Sequence, residues 1–134
     1  MLALSTRHAI LSIYMARIHA VRRKSTLALR QRRSALLRQL RLPPQAIRAS
    51  VVERFGTCGK PSCACHAGAK HGPYYYLTQC VAAGQVRKFL LKTPEILATA
   101  QGAVAAFNQF YDHLEELSQI NAELLRRRDP LPGE

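Results

Sequence analysis

The stretch CGKPSCACHAGAKH, residues 58–71, holds three of the chain's four cysteines and two of its five histidines. Such a cluster is typical of a metal site in a reducing compartment, or of a disulfide framework in an oxidising one. A tightly turning loop is predicted by Gly59, Pro61, Gly68, Gly72 and Pro73. Because the bonds to zinc are short, ligands delivered by tight turns suit this metal, and we interpret the stretch as a zinc knuckle.

The candidate ligands of the knuckle follow the spacing C-x4-C-x-C, with a histidine after five further residues. We expect a structural Zn2+ held by Cys58, Cys63, Cys65 and His71. Cys80 is the second choice for the fourth ligand, because an extended strand would carry it roughly 20 Å away, and His66 is the third. Free cysteines in a glycine-rich loop are the alternative. A disulfide is disfavoured, because Cys63 and Cys65 are too close together in the chain.

Catalysis is not expected at this cluster. A catalytic zinc keeps one position open for water and needs an acid or base nearby. Glu53 is the only acidic residue within thirty positions of Cys63. No carboxylate pair, catalytic triad, phosphate loop or deaminase-type His-x-Glu accompanies the cysteines. We therefore predict that the protein is not an enzyme.

Short strands are predicted on both sides of the knuckle. ASVVERF precedes it, and YYYLTQCVAAGQVRKFLLK reads as a hairpin turning at Ala82-Ala83-Gly84. A two-stranded ribbon alone is marginally stable, so the knuckle would hold the first strand beside the hairpin. The expected fold class is α+β, with an antiparallel hairpin or three-stranded sheet between a basic N-terminal helix and a long C-terminal helix.

The N-terminal part of the chain, to about Leu42, is predicted to be helical, either as one helix or as two. Leu29, Leu36 and Leu40 form an apolar stripe at helical spacing, and Ser25 or Thr26 supplies the cap. The helix is expected to end at Pro43-Pro44, because proline offers no N–H donor and restricts the residue before it.

A long C-terminal helix is predicted to start at Thr93 and Pro94. Its apolar residues recur in steps of four and three, which favours either coiled-coil self-association or packing on the N-terminal helix. The series is Ile96, Ala100, Ala103, Phe107, Phe110, Leu114, Leu117, Asn121 and Leu124. We favour a homo-oligomer formed through residues 93–128, with Asn121 fixing the register.

The predicted organisation is one domain with extensions. Its parts are a basic amphipathic extension (1–24), an Arg-rich helix (25–44), the knuckle and hairpin module (45–92), the long helix (93–128) and a tail (129–134). The chain has no run of eighteen apolar residues, so we expect no membrane span. The acid-free N-terminus also resembles a targeting segment, but no clean cleavage site follows it, and we expect a cytoplasmic protein.

The charge is strongly one-sided. Formal net charge is +12, and residues 1–52 hold eleven Arg and Lys but no acid. Such a field attracts polyanions, which predicts nucleic acid, DNA or RNA, as the partner. The candidate contacts on the N-terminal segments are Arg22, Arg23, Lys24, Arg30, Arg32, Arg33, Arg38 and Arg41. On the hairpin they are Tyr74, Tyr76, Arg87 and Lys88, because aromatic rings and cations suit base stacking and phosphate contact. Core packing of the tyrosines and solvation of the cations are the alternative.

The segments SVVERFGTCGKPSCAC, HGPYYYLTQ and LEELSQINAELL resemble a family of small uncharacterised prokaryotic proteins with a CGKPxCxC…HGPYxY pattern, over roughly residues 25 to 128. The resemblance implies a zinc-binding module at Cys58, Cys63, Cys65 and His71, and an association with mobile elements and their transposases. It implies no established activity, and Cys80 and residues 1–24 look particular to this chain.

Three hypotheses follow. The first is a non-enzymatic nucleic-acid-binding accessory factor of a mobile element, with DNA slightly ahead of RNA. The second is an adaptor whose long helix docks a transposase or another enzyme. The third, less favoured, is a membrane-surface or targeted protein that uses residues 1–24.

Overall fold

The computed structural model describes residues 2–131, with side chains from residue 9 onward. The predicted tail is therefore described only as far as residue 131. The α+β prediction is confirmed. The elements are, in chain order, α1 (Leu2–Arg23), α2 (Thr26–Gln39), β1 (Ser50–Gly56), a short 3₁₀ turn (Ala64–His66), β2 (His71–Ala82), β3 (Gln85–Leu90) and α3 (Pro94–Arg126).

Side-chain caps fix the starts of two helices. The Ser25 hydroxyl accepts the Ala28 N–H at 3.1 Å, which selects Ser25 over Thr26 as the cap of α2. The Thr93 hydroxyl accepts the Ile96 N–H at 3.3 Å at the start of α3. The N-terminal helix is thus in two pieces, and α2 ends at Gln39, shortly before Pro43.

The three strands form one antiparallel sheet in the order β1-β2-β3. Val51 lies opposite Leu77, and Leu77 lies opposite Phe89, so the three-stranded alternative is the observed one. The hairpin turns between Ala82 and Gln85. Gly84 takes a φ of 72° there, a conformation that a side chain disfavours.

The chain divides into two units, and each has its own core. In the central unit, Leu42–Gln109, the buried residues Leu77, Leu91 and Ala100 pack together, with half-buried Val51 and Tyr75 against them. Side chains alternate along a strand, so Tyr75 and Leu77 share the core face of the sheet. Residues 74 and 76 therefore belong to the opposite face, which we call the outer face.

The terminal unit contains the described residues of Met1–Arg41 and Phe110–Glu134. Its core contains the predicted stripe residues Leu29 and Leu36, both fully buried, together with Val21, Leu117, Ile120 and Leu124. The apolar series of α3 is not one uniform face, because Leu114 is exposed while Ile120, outside the series, is buried. Leu117 and Leu124 are used within their own chain, and self-association through α3 stays a prediction.

Candidate metal centre

The segment between β1 and β2 carries the candidate ligands. Cys58 follows the end of β1 by two residues, and His71 is the first residue of β2. Two tight turns connect them: the Cys63 N–H donates to the Lys60 carbonyl at 3.1 Å, and the His66 N–H donates to the Cys63 carbonyl at 3.2 Å. These turns bring Cys63 and Cys65 back beside the sheet.

Four ligand atoms converge in this segment. The thiol sulfurs of Cys58, Cys63 and Cys65 and a ring nitrogen of His71 lie within 4.8 Å of one another. The sulfurs of Cys58 and Cys65 are 3.7 Å apart, and the Cys63 sulfur is 3.4 Å from Nε2 of His71. A tetrahedral zinc with its usual bond lengths needs edges of about 3.8 Å between two sulfurs and about 3.6 Å between sulfur and nitrogen. The donor set therefore fits such an ion.

Hydrogen bonds within the cluster favour thiolates at two of the three cysteines. Backbone hydrogen bonding at Lys60, followed by the His71 ring, lowers the pKa of Cys58. Backbone and thiol hydrogen bonds from Cys65 lower the pKa of Cys63. The Cys58 N–H, 3.4 Å from the sulfur of Cys65, also lowers the pKa of Cys65, but burial and the neighbouring thiols outweigh it and raise that pKa. Metal binding requires the thiolate form, which the lowered pKa favours at Cys58 and Cys63 but not at Cys65.

The two alternative ligands lie outside the cluster. Cys80 is exposed, and its thiol donates to the Ala82 carbonyl at 3.3 Å, near the hairpin turn. The His66 ring nitrogen is 3.0 Å from the Lys60 carbonyl. All four cysteines are free thiols, so no disulfide is formed. The geometry thus brings together the first-ranked set of four and neither substitute.

Gly72 positions the histidine, a role that the sequence analysis missed. Its φ is 137°, and the strand register shifts between Arg54 and Gly56, opposite His71. An added Cβ would lie 2.9 Å from both the Arg54 carbonyl oxygen and a ring carbon of Phe55. Only glycine fits this approach of the two backbones without strain. The Gly-Pro pair after His71, whose peptide bond is cis, was the available signal.

The outer face of the sheet, next to this cluster, is aromatic and cationic. The Lys88 ammonium lies 4.2 Å from the centroid of the Tyr76 ring. Tyr74 is exposed and lies opposite Arg54, which the sequence analysis did not select. Arg87 pairs with Gln79 and so belongs to the core face. The structure therefore brings three of the four predicted hairpin residues together and separates Arg87 from them.

Ion pairs engage two of the predicted helix arginines in the terminal unit. Arg32 makes a bidentate pair with Glu116 at 2.7 Å, and Arg30 pairs with Asp129. These hydrogen bonds lower the pKa of both carboxyl groups. Arg33 is half-buried. Arg30 stays exposed despite its pair, and the other exposed members of the predicted set are Arg22, Arg23, Lys24, Arg38 and Arg41.

Within residues 2–131, no helix has the length and apolar character that crossing a bilayer requires. No curated protein and no solved structure matches the chain. One family matches residues 26–95, which run from the start of α2 through the ligand segment and the sheet into the first turn of α3. This match is shorter than the expected resemblance, which reached about residue 128. The chain belongs to that family, whose description is "Domain of unknown function (DUF6788)".

Proposed function

We propose that the protein is a non-enzymatic nucleic-acid-binding protein in which a structural Zn2+ fixes the segment beside the sheet. The observation that carries the proposal is the position of the outer face, with Tyr74, Tyr76 and Lys88, next to four convergent metal ligands. Aromatic rings with interleaved cations are the usual surface for bases and phosphates.

The donor set supports zinc in a structural role. Three thiols and one imidazole suit zinc, and four protein ligands would leave no position for a reactive water. Glu53, the acid nearest in sequence, accepts a hydrogen bond from the Tyr75 hydroxyl at 3.1 Å on the core face of the sheet. The ion's contribution would be to the stability of the β1–β2 connection.

The charge of the central unit supports a polyanionic partner. Residues 42–109 contain seven Lys and Arg but two Glu and no Asp. Lysine and arginine bind phosphates, with counterion release and a strong dependence on salt. The accessory role in a mobile element and the prokaryotic origin come from the resemblance, whereas the cytoplasmic location follows from the N-terminal sequence, and DNA is slightly ahead of RNA as the partner.

A second candidate is an adaptor that docks a transposase or another enzyme through α3. Leu114 and Leu125 are exposed on that helix, 41% and 60% respectively, which would give a partner an apolar surface. Such an adaptor would not bind plain nucleic acid in a salt-dependent way, and this separates the two candidates.

The first experiment measures zinc content by mass spectrometry in the wild type, Cys63→Ser and Cys80→Ser. We expect one zinc per chain in the wild type and in Cys80→Ser, because that thiol lies outside the cluster, and a loss of zinc in Cys63→Ser. Fluorescence anisotropy with labelled oligonucleotides at increasing salt then tests binding. Absence of zinc in the folded wild type would refute the structural zinc site. Absence of salt-dependent binding would favour the adaptor.

A further inference from the structure

A pocket joins the outer face of the sheet to the metal cluster. Its volume is about 290 Å³, and its wall includes Cys58 and His71 on one side and Tyr74, Tyr76 and Lys88 on the other. Arg54 completes the cationic part of the wall. Two cations, three aromatic rings (Phe55 with the two tyrosines) and two ligand residues therefore line one cavity close to the size of the smallest ligand pockets.

Charge on this face is of one sign. The residues of β1, β2 and β3 that share it include Arg54 and Lys88, whereas Glu53, the one acid of the sheet, is on the core face with Tyr75. A phosphate entering the pocket would meet cations without a competing carboxylate. This complementarity identifies the occupant as an anion with an aromatic part, which is the chemistry of a nucleotide.

The rings themselves discriminate between forms of nucleic acid. A base can stack on Tyr74 or Tyr76 only if its own ring face is free, and in a duplex both faces are covered by neighbouring pairs. The Lys88 ammonium occupies one face of the Tyr76 ring, so a base would have to displace it in order to stack on that face. A base that takes the place of the ammonium would leave the flexible lysine free to pair with the adjoining phosphate.

We propose that the outer face binds single-stranded nucleic acid, with bases stacked on Tyr74 and Tyr76 and a phosphate held by Arg54 and Lys88 in the pocket beside the metal cluster. This inference rests on the proposed nucleic-acid binding and names its substrate class. It also assigns a task to the metal: the cluster holds His71, and with it one wall of the nucleotide pocket.

The test compares a labelled single strand of about 12 thymidines with the matching duplex, by anisotropy, on the zinc-loaded full chain. We expect the single strand to bind at least about tenfold more tightly than the duplex. Changing both tyrosines to leucine should weaken single-strand binding by at least about fivefold for each ring, whereas Tyr74→Phe with Tyr76→Phe should retain it. Phe89→Leu removes an aromatic ring from the core face and should change binding less than about twofold.

A neighbouring pair of cations supplies the electrostatic control. Lys88→Ala should lower the slope of log affinity against log salt by about 0.7, the value for one phosphate contact on a single strand. Arg87→Ala, on the core face, should leave the slope unchanged. Equal effects of the two variants, equal affinity for duplex and single strand, or full binding after loss of both rings would overturn the inference while salt-dependent binding stands. Absence of binding to either probe would overturn the proposed function as well.

Discussion

Glu123 is a buried carboxylate held by two arginines at the C-terminal end of α3. Its side chain is 5% exposed and accepts hydrogen bonds from Arg126 and Arg127, each at 2.7 Å. The Arg126 hydrogen bond, followed by that of Arg127, lowers the pKa of Glu123 from 4.5 to about 2. Arg127 also donates to the backbone carbonyls of Arg22 and Lys24, so the same carboxylate helps to hold the α1–α2 connection against α3.

The expected magnitude follows from that pKa. One pKa unit corresponds to about 1.4 kcal/mol, so the difference between 4.5 and about 2 sets a ceiling of roughly 3 kcal/mol. The Arg126 side chain is 62% exposed, and solvent screening weakens its part of the interaction. Glutamine keeps the size and one acceptor oxygen of glutamate. We therefore expect Glu123→Gln to lower the free energy of unfolding by about 1–2 kcal/mol at pH 7.

The pH dependence has a defined sign. A carboxyl group whose pKa is lower in the folded state stabilises that state above its unfolded pKa, and the stabilisation is lost as pH falls towards the folded value. The difference between wild type and Glu123→Gln should therefore be full at pH 7 and shrink between pH 4.5 and about 2. This difference is measured by urea unfolding, monitored by far-UV circular dichroism. A chelator is present throughout so that metal release does not contribute.

Asp112→Asn is the matched control, because it removes one charge from the same helix at an exposed position. Its partner Arg17 is 3.5 Å away, and both side chains are at least half exposed. Such pairs contribute little, so the control should change the free energy of unfolding by less than about 0.5 kcal/mol. Equal stability of Glu123→Gln and Asp112→Asn at pH 7, or a deficit of Glu123→Gln that persists unchanged in acid, would contradict this role of the Glu123 carboxylate.

Two further predictions concern the core and the glycine beside the metal cluster. Leu36→Ala should lower the free energy of unfolding by about 2–5 kcal/mol, because Leu36 is fully buried. Its control Leu37→Ala, at a 51% exposed position, should change that free energy by less than about 0.5 kcal/mol. Equal urea midpoints for the two variants would contradict the core assignment. Gly72→Ala should weaken zinc binding by about tenfold in competition with a chromophoric chelator, because the strained φ costs about 1–3 kcal/mol and the new Cβ meets the Arg54 carbonyl. Gly102→Ala, in open space on α3, is its control and should leave zinc affinity unchanged.

Local signals predicted most of the fold. The caps at Ser25 and Thr93 and the glycine at position 84 act over a few residues, so a sequence shows them directly. Which residues of α3 are buried depends on its neighbours instead. Leu114 and Leu117 are equivalent members of the apolar series, yet one is exposed and the other buried. A helix that contributes to two units does not keep one buried face along its length.

The candidate metal centre was predictable for the same reason, since short turns bring cysteines together whatever the rest of the chain does. The preference for His71 over Cys80 also followed from the reach of an extended strand. The partners of the helix arginines could not be predicted from the sequence. Glu116 lies 84 residues from Arg32 in the chain and Asp129 lies 99 from Arg30, and no local pattern pairs residues at such separations.

These pairings change where nucleic acid should be sought. Four acids of the terminal unit, Asp112, Glu116, Glu123 and Asp129, are held by arginines of that same unit. An Arg32 substitution would therefore unpair Glu116 and destabilise the fold before it reported on binding. Lys88, over an exposed face without a carboxylate, has no such structural partner among the described ion pairs. Removing one positive charge should therefore have different effects at the two positions. At Arg32 it should lower the urea midpoint, whereas at Lys88 it should lower the salt dependence of binding and leave the midpoint unchanged.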